Sequence, residues 1–117
     1  MRAVGTVTVL EPLGRMVLGD HPTDTALKDE VAAQLREGRR QFVLDLNQVS
    51  QMDTSGLTTL VTVYVAVRKQ HGRIALVSPP ARVRELLHVT RLDAFFQVFD
   101  CEDDAVESLT RESQTQG

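Results

Sequence analysis

Cysteine occurs once in these 117 residues, at Cys101, so no intrachain disulfide and no zinc site of the usual cysteine spacing can be built. Histidine is nearly as scarce. His21, His71 and His88 stand far apart with no ligand pairing, and each reads as a surface residue rather than a metal ligand. No apolar run approaches the roughly 18 residues of a bilayer span. The first eight residues, Met1 to Thr8, lack the apolar centre of a signal peptide. Charge of one sign does not dominate: 13 basic against 16 acidic residues give a formal net charge of -3, and the basic residues are scattered along the chain. Nucleic-acid binders usually show a basic footprint, so no nucleic-acid partner is expected. Linkers and internal repeats are absent too. The expectation is a single domain in a reducing cytoplasm, with no membrane insertion, no metal and no cofactor.

What is present suits a compact fold. A hydrophobic fraction of 42% and a charged fraction of 25% are ordinary for a globular protein, and this length buries most of its apolar surface without staples. Residues 3 to 10 alternate, with Thr6 and Thr8 on one face and Val7 and Val9 on the other, which predicts a half-buried strand. Pro12 and Gly14 supply a turn, and Arg15 to Leu18 would complete a hairpin. Thr23 is a plausible helix N-cap, Leu27, Val31 and Leu35 recur at four-residue spacing, and Gly38 stands just past the end as a C-cap.

Phe42 to Leu46 carries apolar residues on both faces, as a central strand covered on both sides does. Between Leu57 and Gln70 two periods compete. Leu57, Leu60, Val61 and Tyr64 fit a helix face, while Val61, Val63, Val65 and Val67 alternate as in a strand; the length and the His71-Gly72 stop favour helix. Ile74 to Val77 reads as a buried strand, and Ser78-Pro79-Pro80 presets a helix bearing Val83, Leu86 and Leu87. Leu92, Phe95 and Phe96 read as packing residues ahead of a short strand at Gln97 to Phe99. Asp100 or Cys101 then opens a last helix with Ala105, Val106 and Leu109 inside. The expected fold is α/β: a mixed, mostly parallel sheet of about five strands packed with about four helices, in the order β-β-α-β-α-β-α-β-α. The domain should span 1–110, with 111–117 a polar, frayed tail.

The stretch Met52-Asp53-Thr54-Ser55-Gly56-Leu57 joins the most apolar strand to the longest helix. Asp, Thr and Ser are all good N-cap residues, and a helix N-terminus tolerates an anion well. Two readings follow: Ser55 is a phosphorylation switch, or the three polar residues merely cap a helix. Enzyme readings are weak. Ser55 interrupts the Asp-Thr-Gly order of an aspartic protease loop, which also needs a second carboxylate to share its proton. A serine hydrolase needs an oriented base, and the G-x-S-x-G elbow is missing. A receiver domain with Asp45 as phospho-acceptor would need an acidic cluster after the first strand, where only Glu11 stands, and a suitably placed Lys, whereas Lys28 and Lys69 fall in helices.

Residues 39 to 99 resemble the STAS domain of bacterial anti-sigma factor antagonists. The resemblance is carried by Phe42-Val43-Leu44-Asp45-Leu46, Met52 to Leu57, Gly72 to Val77, Pro80 to Leu87 and Thr90-Arg91-Leu92-Asp93. It implies a protein-binding module without catalysis of its own. An anti-sigma factor with serine kinase activity would phosphorylate Ser55; the unphosphorylated form would capture that kinase and free sigma factor, and a serine phosphatase would reset the switch. Asp53, Thr54, Ser55, Gly56 and Leu57 match the partner-facing loop. The family's Gly-x-[Leu/Ile/Val]-Asp segment has no match after the second strand. Asp20 and Asp24 are the carboxylates that stand nearest that position, Asp24 being taken into the partner-binding set. The alternative is an unphosphorylated STAS scaffold or transporter-associated subunit, in stress signalling or lipid transport. Nucleotide binding, known in parts of the family, finds no glycine-rich phosphate loop here. The chain is expected to be a monomer or weak dimer.

Overall fold

A strand with apolar side chains on both faces is stable only if both faces are covered, and the strand from Gln41 to Asp45 has that cover: Phe42, Val43 and Leu44 are each 0% exposed. The computed structural model describes residues 2–12, 14–16 and 21–115, with the side chains of 2, 14–16, 21–25 and 112–115 outside the description. Among the described residues there are seven strands: β1 (Arg2–Val4), β2 (Val7–Leu10), β3 (Gly14–Met16), β4 (Gln41–Asp45), β5 (Val49–Met52), β6 (Arg73–Val77) and β7 (Gln97–Phe99). The α-helices are α1 (His21–Arg36), α2 (Thr54–Lys69), α3 (Ala81–Val89) and α4 (Glu102–Thr115), and a 3-10 turn at Leu92–Ala94 leads into β7.

Five strands form one sheet in the order β1-β2-β4-β6-β7. β1 runs antiparallel to β2, and the β2-β4, β4-β6 and β6-β7 pairs are all parallel. Strand order advances without reversal. Right-handed crossovers that always step the same way put their helices on one face, and α1, α2 and α3 accordingly share a face. There Phe42, Leu44, Ile74 and Leu76 meet Leu27, Val31, Leu60, Val63, Val67, Val83 and Leu87. On the other face Val7, Val9, Val43, Ala75 and Val77 meet Ala105 and Leu109 of α4. Val63 and Val67 lie in the core while Val65 is 42% exposed, which is the helical period, so the helix reading of this stretch holds.

Several expectations need correction. Residues 3 to 10 are not one strand: Gly5, at φ +61, turns the chain and makes β1 and β2 a hairpin. The expected pairing of that segment with residues 15 to 18 does not occur. Instead β3 pairs in parallel with β5 in a separate two-stranded sheet, while residues 17 and 18 lie outside the described residues. Nor is β2 half-buried, since Thr8 is 1% exposed. Its hydroxyl accepts a hydrogen bond from Arg39 Nε at 2.9 Å, as a buried polar group must. β5 itself was not expected, and Thr23 falls inside α1 rather than at its start. Phe96 is buried, but Phe95 is 63% exposed and is no packing residue. The element order is thus β-β-β-α-β-β-α-β-α-β-α.

The close approach of the α2–β6 loop to the start of β4 rests on Gly72. Its amide donates to Val67 O at 2.9 Å, and the next amide, of Arg73, donates to Arg40 O at 2.8 Å. A Cβ on Gly72 would collide with the Arg40 carbonyl oxygen and lie 2.7 Å from Val67 Cγ1. Gly72→Ala is therefore expected to destabilise the fold by about 1–3 kcal/mol, as overpacking does, read as a lowered urea midpoint at unchanged m-value. A midpoint equal to that of the parent would contradict this account of the loop.

Candidate functional site

The chain leaves the 5-residue β4 at its carboxyl end, turns at Asn47 and Gln48, adds β5 and enters α2 through Asp53. Asp53 is extended, with φ -121 and ψ -167, and is the N-cap. Its Oδ1 accepts from the amides of Ser55 at 2.9 Å and Gly56 at 3.2 Å. Its carbonyl accepts from Leu57 N–H at 3.1 Å. Two of the four unpaired amides of a helix start are thereby satisfied by one side chain, and the Leu57 bond is the first of the helix proper. The cap is Asp53, and neither Thr54 nor Ser55 serves as one.

That division of labour frees Ser55. The residue is half-buried at the mouth of the helix; its amide goes to Asp53 and its carbonyl accepts from Thr59 Oγ1 at 3.3 Å. Among the described residues nothing hydrogen-bonds its hydroxyl. Thr54 is exposed beside it, and its carbonyl accepts from Thr58 Oγ1 at 2.9 Å. Gly56 is buried against the core. Leu57, expected in the partner-facing loop, is 4% exposed and packs in the main core, so its side chain anchors the turn. Asp24 lies within α1 but its side chain is outside the described residues, and Asp20 lies outside them altogether. Among the described residues, the carboxylate in contact with Ser55 is that of Asp53, through the Ser55 amide.

The same carboxyl edge carries more acid than the motif does. Carboxylate oxygens of Glu11, Asp45 and Glu102, from the ends of β2 and β4 and the start of α4, lie within 4.8 Å of one another. Three carboxylates so placed are of the right type for a hard divalent cation. All three have partners already: Asp45 Oδ1 accepts from Asn47 N–H at 3.0 Å, and Glu11 and Glu102 are also engaged. Sequence reasoning weighed Glu11 and Asp45 singly and missed the grouping, because the three lie 34 and 57 residues apart.

His88 and Asp93 pair at 3.1 Å, both on the surface. Cys101 is free and exposed. Among the described residues no helix is long and apolar enough to cross a membrane.

Comparison with known proteins gives a family for this arrangement. The model of the STAS domain matches residues 5–105. A Thermotoga neapolitana protein named among the anti-sigma factor antagonists is 32% identical over 75 residues, covering 64% of this chain and 66% of its own length, just under two thirds. The crystal structure of a Thermotoga maritima protein named in the same way superposes with a TM-score of 0.83 at 25% identity, covering 93% of this chain and 92% of that one. The Bacillus cell fate determinant SpoIIAA in its phosphorylated form gives 0.72 at 16% identity, covering 92% and 95%; at that identity the likeness is one of fold.

Capping by Asp53 rather than Ser55 has a measurable consequence. Asp53→Ala should cost about 0.5–2 kcal/mol, whereas Ser55→Ala, which removes a hydroxyl with no hydrogen bond among the described residues, should change stability by less than about 0.5 kcal/mol. Chemical denaturation of both variants decides it. A larger loss for Ser55→Ala than for Asp53→Ala would contradict the assignment of the cap.

Proposed function

This chain belongs to the STAS domain family, and we propose that it acts there as an anti-sigma factor antagonist switched by phosphorylation of Ser55. Its partner is an anti-sigma factor with serine kinase activity, which the unphosphorylated form captures and the phosphorylated form releases; a serine phosphatase restores capture. The chain itself catalyses nothing. The observation that carries this reading is the Ser55 hydroxyl, presented half-buried at a helix start with no hydrogen-bond partner among the described residues while Asp53 holds the amides around it. Relatives named as antagonists of anti-sigma factors support the partner class. A protein of the same fold solved in a phosphorylated form supports the modification.

Magnitudes indicate how such a switch works. A phosphate adds roughly 1.5 to 2 negative charges and three acceptor oxygens. The helix dipole favours each charge by about 0.3–1 kcal/mol, but the amides that would bind the phosphate already bond Asp53, whose carboxylate repels it. Fold and stability should therefore change little. At a docked interface an unpaired or like charge costs on the order of several kcal/mol, and about 3 kcal/mol is a ~100-fold loss of affinity. Exclusion of the partner dominates.

Thr54 is exposed and Asp53 and Ser55 are half-buried at the junction; these are the residues that a partner would meet, with Asp24 on the neighbouring helix as the remaining candidate contact. Capture from native cells by immobilised Ser55→Ala should retain a protein with a serine-kinase anti-sigma domain, and Ser55→Asp should lose it by about 100-fold. Equal recovery by both variants would overturn the switch and leave the scaffold reading in its place.

A further inference from the structure

Six of the 13 basic residues, scattered in sequence, are gathered in space. Arg36 ends α1, Arg39 and Arg40 precede β4, Arg68 and Lys69 end α2, and Arg73 begins β6. Because β4 and β6 are parallel, all six stand at the amino end of the sheet, with Glu37 and His71 as the other titratable groups of those loops. Cations at helix C-termini complement the dipole, and that accounts for part of the cluster. Arg40 donates to the carbonyls of Leu35 and Arg39, each at 2.9 Å, and Arg68 to Gly72 O at 3.3 Å. Among the described residues Arg39 bonds the neutral oxygens of Thr8 and Gly5.

Arg36 and Lys69 are different. Both are exposed, and among the described residues neither has an ion-pair or hydrogen-bond partner. They flank an open groove of about 430 Å³ between the ends of α1 and α2, floored by Ala32, Leu35 and Ala66, with Gln70 beside them.

The opposite end of the sheet carries the complementary charge. Glu11 follows β2, Asp45 closes β4, Asp100 follows β7, and Glu102, Asp103 and Asp104 open α4. Three of these carboxylates lie within 4.8 Å of one another and are already engaged by other groups, while Asp103 and Asp104 are exposed to solvent. Arg84, bonded to Asp100 at 3.2 Å, and Arg82 are the cations of α3 on that side.

We propose that the basic groove between the ends of α1 and α2 docks the acidic carboxyl edge of a second copy of this chain. The contact is head to tail: it uses two different surfaces, so a docked copy leaves one of each free and the association can propagate. It is electrostatic and polar, hence weak at physiological salt and strengthened as salt falls.

Sedimentation velocity tests this with the whole chain alone. In about 0.01 M salt, where the Debye length is about 30 Å, the weight-average mass should rise above that of one chain with concentration. In about 1 M salt, where it is about 3 Å, the mass should return to one chain. Arg36→Gln with Lys69→Gln should stay monomeric in low salt, as should Glu102→Gln with Asp103→Asn and Asp104→Asn, each checked for an unchanged thermal melt. An equimolar mixture of these two variants should form a complex of two chains and stop there, since each retains one of the two surfaces. A mass of one chain at low salt, association that survives the loss of Arg36 and Lys69, or a mixture that stays monomeric would each overturn the proposal. None of these readouts depends on Ser55 phosphorylation.

Discussion

Burial of β4 on both faces is the constraint from which the rest of the molecule follows. Phe42 and Leu44 need the helices α1 to α3, Val43 needs α4, and each strand beside β4 repeats the demand. Because crossovers keep one hand, three successive helices cover one face, and α4, which follows the edge strand β7, covers the other. The same parallel arrangement sends the carboxyl ends of β2, β4, β6 and β7 to one edge. That is where α2 starts and where Ser55 stands.

At that edge one carboxylate sets the terms. Asp53 occupies the amides of Ser55 and Gly56 through its side chain and that of Leu57 through its carbonyl, while Leu57 is locked into the core. The turn is held from both sides without the Ser55 hydroxyl. A hydroxyl with no structural duty can be modified without unfolding the domain, and a phosphate placed beside Asp53 finds repulsion rather than a ready nest of amides. Stability and binding therefore separate: the fold is indifferent to a charge that an apposed protein surface is not.

Much of this was legible in the sequence where a period ran long enough to choose between helix and strand. The four alternating valines of α2 look like a strand until its full length is counted, and Val65, exposed while Val63 and Val67 are buried, shows which period won. β7 and the last helix were legible from short apolar runs between breakers. Where the signal failed, the cause is physical. β5 spans four residues, of which Ser50 and Gln51 are exposed, so neither period nor propensity marks it. The turn at Gly5 was hidden inside an alternation that continues through it, and the partner of β3 is set by tertiary pairing alone. The cap could have fallen to Asp53, Thr54 or Ser55 on residue type, and only the backbone direction at Asp53 decides it. Charge told least: Arg36 and Lys69 are far apart in sequence, and only the parallel sheet brings them to the same groove.

The central claim is that Ser55 is a modified residue and not a spectator of the cap. Intact mass with site mapping, on the protein recovered from its native cells under growth and stress conditions, tests it most directly. A fraction heavier by one phosphate, mapped to Ser55, is the predicted result. Absence of phosphate under every condition, or phosphate confined to a different residue, would contradict the account.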